Sequence, residues 1–71
     1  MKHTFSLDGY PYIMLNNLLK VLHLVGTGGE ANIRITEGEV TVNGLVEMQK
    51  RKKIKAGDLI EFGNQTIEVS A

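Results

Sequence analysis

At Gly38 the spacing of apolar residues changes its period, and that change limits the kind of domain the chain can make. Before it, Leu15, Leu18, Leu19, Leu22 and Val25 recur every three or four residues, the interval that lines one stripe of an α-helix. After it, Glu39 to Val42, Leu45 to Met48, Leu59 to Phe62 and Thr66 to Val69 read as strands, punctuated by Asn43-Gly44, Ala56-Gly57-Asp58 and Gly63-Asn64. Asn43-Gly44 is the strongest of these signals, because both residues tolerate the positive φ that a two-residue hairpin turn requires. The helical half divides in two. A first helix is expected over Ile13 to Val25, ended by Gly26, and a second over Gly28 to Glu37, ended by Gly38. Thr27-Gly28-Gly29-Glu30 has the form of a capping box, in which the Thr27 hydroxyl accepts from the Glu30 amide and the Glu30 carboxylate reaches back to the Thr27 amide. Ahead of both, Lys2 to Leu7 alternates as a short strand with Phe5 and Leu7 on one face, closed by Asp8-Gly9. This order predicts a single α+β domain over residues 1–71. Two helices pack on one side of a small, mainly antiparallel twisted sheet of about four to five strands.

A chain of 71 residues buries only roughly 60% of its unfolded surface, which leaves no room for a large enclosed active site. It has no cysteine, so neither a disulfide framework nor a thiolate metal site is available, and the cytoplasm is the expected compartment. The most apolar segment, Ile13 to Val25, is broken by Asn16, Asn17, Lys20 and His23 and cannot form a membrane span. With 8 basic and 8 acidic side chains the formal net charge is zero, which by itself gives no reason to expect nucleic acid.

The basic residues are nevertheless unevenly distributed. Lys50, Arg51, Lys52, Lys53 and Lys55 fall within six positions that contain no acid. Screening acts over about 8 Å at physiological salt, so a phosphate close to such a run meets it before the distant carboxylates. In a regular strand Lys50 and Lys52 would share a face with Ile54, and Arg51, Lys53 and Lys55 would point the other way. An exposed bend or irregular strand that frees most of them is expected instead. The run could equally be a solvated edge that discourages strand pairing. Thr27-Gly28-Gly29 at a helix start could hold a phosphate through its free amides, although a tight turn that simply needs glycine is the simpler account. Lys20 and His23, with Asn32 and Arg34 on the second helix, lie off the apolar stripe and are expected to be exposed; they join a site only if the fold brings them to the basic run. No catalytic constellation is visible. His3 and His23 lack a third ligand at metal-binding spacing, and Asp8 and Asp58 sit at turn signals where Asp is common for local reasons.

Leu15 to Leu24, Thr27-Gly28-Gly29-Glu30-Ala31, Ile35, Gly38, Val40, Val42-Asn43-Gly44, Lys50 to Lys53 and Gly57-Asp58, in this order, resemble the RNA-binding domain first known from the fourth small-subunit ribosomal protein. More narrowly, the chain resembles that domain's small stand-alone bacterial version, the YbcJ-like family. The resemblance implies a two-helix RNA-binding motif, the αL motif, followed by a β-hairpin. It also implies a non-catalytic protein with no cofactor, which binds structured RNA, ribosomal RNA foremost, or the ribosome and its assembly intermediates; a monomer is expected. Carried over by position, the RNA-facing residues are Thr27, Gly28, Gly29, Asn32, Asn43, Gly44, Arg51 and Lys53, joined by Lys20, Arg34, Lys50, Lys52 and Lys55 as neighbouring cations and donors. Two positions depart from the family's pattern: Thr27 stands for a common Ser and keeps the hydroxyl, while Asn32 stands for a common Lys and removes a charge. Four aromatics in the chain make no dense stacking platform of the single-strand type, which favours recognition by shape. Two alternatives compete. One is a ribosome-associated protein-interaction module whose lysines only solvate; the other is a β-grasp sulfur-carrier-like protein, for which Glu68-Val69-Ser70-Ala71 lacks the reactive Gly-Gly.

Overall fold

A computed structural model describes residues 1–71, and every one of its fully buried side chains is apolar. The elements in chain order are β1 (Lys2–Ser6), β2 (Ile13–Met14), α1 (Leu15–Val21), α2 (Gly28–Thr36), β3 (Val40–Val42), β4 (Leu45–Val46), β5 (Lys53–Ile54), β6 (Leu59–Phe62) and β7 (Gln65–Ser70). Five strands form one sheet in the order β1-β7-β6-β3-β4, in which only β1 and β7 run parallel. The α+β class and the mainly antiparallel five-stranded sheet agree with the sequence pattern. The separate two-stranded ladder of β2 and β5, which pairs Ile13 with Ile54 and Met14 with Lys53, does not appear in that pattern.

The core joins the helices to one face of the sheet. Leu15, Leu18 and Leu19 of α1 and Ala31 and Ile35 of α2 are completely buried with Val40, Ile54, Ile60 and Ile67, contributed by four different strands. At about 25 cal/mol per Å² of apolar surface removed from water, this continuous layer is the principal favourable contribution to folding. The hairpin turn is as predicted, with Asn43 at φ 53° and Gly44 at φ 86°, both in the left-handed region.

The first helix is shorter than its apolar stripe at both ends. Ile13 leaves the helix to pair with Ile54, and Met14 at the N-cap is extended, with no side-chain cap. At the other end α1 stops at Val21 because His23, not Gly26, adopts φ 59°. The His23 amide donates to the Lys20 carbonyl and the Leu24 amide to the Leu19 carbonyl, the bond pair that closes a Schellman turn. Helix α2 ends in the same way, with Gly38 (φ 81°) donating to Ile35 and Glu39 donating to Arg34. Its start is also slightly different from the capping-box expectation. The Thr27 hydroxyl accepts from the Glu30 amide at 3.1 Å, but the Glu30 carboxylate accepts from the Gly26 amide at 2.7 Å, one residue earlier than Thr27.

Candidate nucleic-acid interface

The basic run is held by main-chain bonds, so its side chains are free to face solvent. Lys50 and Arg51 form a turn, closed by the Lys52 amide donating to the Gln49 carbonyl, and the chain then enters β5. Ile54 points into the core at 0% exposure, and the alternation of a strand drives Lys53 outward. Lys50, Arg51, Lys53 and Lys55 are exposed and Lys52 is half-buried, which is the open bend expected of this stretch. The carbonyls of Lys50 and Lys52 accept from the amides of Asn16 and Leu15 at 3.0 and 2.9 Å. These bonds replace the missing side-chain cap of α1 and fasten the run to the start of that helix.

The charge of the run is not neutralised. Within 4 Å, the chain's carboxylates pair only with Lys2, bound to Glu68 at 2.7 Å, and with Arg34, bound to Glu39 at 2.8 Å and Glu30 at 3.6 Å. Of the eight Lys and Arg side chains, the remaining six are therefore without an ion pair: Lys20 and the five of the run. Lys53 places its ammonium 5.1 Å from the centroid of the Tyr12 ring, a cation–π contact that directs it without discharging it.

Two groups of the sequence-predicted residues come together around this run. A shallow groove of about 310 Å³ brings Asn43 beside Lys52, Lys53 and Lys55, with Glu47 and Asp58 also on its walls. Asn43 is committed within the chain: its amide donates to Asp58 at 3.0 Å and its oxygen accepts from the Leu59 amide at 2.9 Å. Asp58 in turn accepts from the Lys55 amide at 2.8 Å, so one carboxylate ties the hairpin turn to the end of the basic run. The second group lies on the helices. Asn16 donates to Asn32 at 3.0 Å across the α1–α2 seam, which leaves Asn32 half-buried and not fully exposed as expected. Helical spacing sets Lys20 one turn after Asn16 on α1, and Gly28 and Gly29 one turn before Asn32 on α2. A Cβ at Gly28 would touch nothing within 4 Å, and one at Gly29 would meet only the Thr27 hydroxyl at 3.8 Å. Neither glycine has a positive φ, so the interhelical turn does not require them, and the simpler account of Thr27-Gly28-Gly29 is corrected: His23 makes that turn.

Arg34 lies apart from both groups. It is half-buried, against the expectation of exposure, because Glu30, Glu39 and the Phe62 ring, 5.9 Å away, surround it. The hydrogen bond and charge of Glu39, with Glu30 adding to them, raise the Arg34 pKa above its ordinary value. Its guanidinium is thus occupied by carboxylates on a different flank of α2 from Asn32.

The family model described as S4 domain matches residues 5–70, and YbcJ of Escherichia coli (strain K12) is 43% identical over 68 residues, covering 96% of this chain and 97% of that protein. The chain belongs to the S4 domain family. YbcJ of Shigella flexneri matches to the same extent. The solution structure of E. coli YbcJ, described as revealing an αL motif involved in RNA binding, aligns with a TM-score of 0.75 over 96% of this chain and 86% of that one. In this S4 domain three features were not expected from the sequence: Asn16 as the partner of Asn32, Tyr12 beneath Lys53, and the carbonyls of Lys50 and Lys52 as the cap of α1. Only the last left a trace in the sequence, since no Ser, Thr, Asp or Asn precedes Leu15 to cap the helix.

Proposed function

We propose that this S4 domain is a non-catalytic RNA-binding protein of the bacterial cytoplasm that recognises structured RNA, ribosomal RNA foremost, and associates with the ribosome or an assembly intermediate as a monomer. The observation that carries this reading is the set of six cations without ion pairs, five of them in the run fastened to α1. Phosphates contacting Lys50, Arg51, Lys52, Lys53 and Lys55 would supply affinity, and release of their counterions would make it salt-dependent. Lys20, with the neutral surface of Thr27, Gly28, Gly29 and Asn32, offers shape and hydrogen bonds to the same RNA, while Asn43 and Gly44 border the run from the hairpin. Arg34 contributes least to this surface, since Glu30 and Glu39 already occupy it.

The test is charge reversal. Arg51→Glu combined with Lys53→Glu, both exposed in the wild type, is expected to leave the unfolding midpoint near that of the wild type and to weaken binding to purified ribosomal RNA at least ten-fold. The same variant should show a shallower dependence of affinity on salt. Equal affinity of variant and wild type at low salt would overturn the assignment. A second reading as a protein-interaction module draws support from the edge strand β4 and its extension, where Leu45, Val46 and Met48 are 75%, 59% and 57% exposed. Ribosome association that persists after complete ribonuclease digestion would favour that reading. The carrier reading has no such support: Glu68 to Ser70 pair with β1 along β7, and Glu68 pairs also with Leu59 of β6.

A further inference from the structure

Three of the chain's four aromatic rings collect on one side of α1. Phe5, Tyr10 and Tyr12, with Pro11, line an apolar groove of about 460 Å³, inside the roughly 300–1,000 Å³ range of small-ligand sites. Tyr10 is 74% exposed and Tyr12 38%. The groove has one side-chain amide on its wall, Asn17, which makes no side-chain hydrogen bond within the chain.

We infer that this groove takes a single unpaired nucleobase of the bound RNA, stacked on Tyr10 and Tyr12 with its polar edge toward Asn17. The inference rests on the RNA-binding reading above and adds a stacked base to the phosphate contacts, shape and hydrogen bonds of that reading. Its occupant is chosen by charge. Tyr12 serves both regions: it lines the groove and carries the Lys53 ammonium 5.1 Å from its ring centroid. Met14, also on the groove wall, is the register partner of Lys53. An apolar groove bordered by one unpaired cation, Lys53, matches a base and its own phosphate, since the base supplies the π-face and the phosphate the negative charge. A purely apolar peptide or a lipid chain would use the slot and leave the lysine without a counter-charge. The two aromatics are too few to form a stacking platform along a strand, but they suffice for one base splayed out of a loop or bulge.

Ultraviolet crosslinking of the full-length protein to purified ribosomal RNA, followed by mass mapping of nucleotide adducts, locates the contacted residues. Adducts are expected on Tyr10 or Tyr12. In parallel, Tyr10→Ala is expected to weaken binding about five-fold or more, whereas Tyr10→Phe stays within about two-fold of wild type, because stacking needs the ring and not the hydroxyl. Tyr10 is exposed, so neither change disturbs the core, and matched unfolding midpoints verify this. Adducts confined to the helices and the basic run, with Tyr10→Ala binding as wild type does, would overturn the groove assignment and leave the RNA reading intact. Failure of the wild type to bind RNA at all would overturn both.

Discussion

His23 and Gly38 occupy the same position after their helices, yet only one of them has the side chain the position favours. Both are left-handed and both donate the amide that closes a Schellman turn. A Cβ in this conformation costs about 1–2 kcal/mol, partly offset because glycine loses more freedom on folding. His23→Gly is therefore expected to stabilise the protein by about 0.5–1 kcal/mol, read as a higher midpoint in urea unfolding with an unchanged slope. Gly38 is recognisable as a helix stop from sequence, while His23 is not, because the apolar stripe continues past it through Val25 and Gly26 offers a more conventional terminator. Val25 is indeed buried, but from the loop and not from the helix. Asn43 illustrates the complementary case. Its turn was legible from Asn43-Gly44, whereas its bonds to Asp58 and Leu59 depend on residues fifteen and sixteen positions away that no local pattern specifies.

Between elements, the decisive contact is the one between β5 and the start of α1. Ile54 is wholly buried, pairs with Ile13, and sits between Lys53 and Lys55, so the single apolar residue in the basic stretch anchors all of it. Ile54→Ala is expected to cost about 2–5 kcal/mol, checked by chemical denaturation. A much smaller loss would mean that the run is held by its main-chain bonds alone. The sheet strands after Gly38 and the α2 start were readable because hairpins and caps are set by neighbours in sequence. The β2–β5 ladder was not, because two-residue strands are too short for alternation to register and Ile13 fits a helical stripe equally well. The candidate interface divides along the same line. The basic run and Thr27 to Gly29 were visible as composition and motif, whereas the Asn16–Asn32 bond, the isolation of Arg34 among carboxylates and the gathering of Phe5, Tyr10 and Tyr12 all depend on tertiary placement.

For the whole molecule, a net charge of zero conceals a division between cations that are paired and cations that are not. Lys2 faces Glu68 on β7, at the opposite edge of the sheet from β4. Lys2→Glu changes the net charge by as much as Arg51→Glu does, and since exposed ion pairs contribute little it should not unfold the protein. Its RNA affinity is expected to stay within about two-fold of wild type in a filter-binding assay, against a several-fold loss for Arg51→Glu. Similar losses from both would mean that overall charge, and not the run, governs attraction. The bonds from Leu15 and Asn16 to the carbonyls of Lys52 and Lys50 have one more consequence. Those two amide protons leave for solvent only when the run swings away from the helix, so their deuterium exchange is a local clock for that opening. An RNA that clamps the run would slow both protons together, which gives a label-free readout of binding from two sites that the RNA itself need not touch.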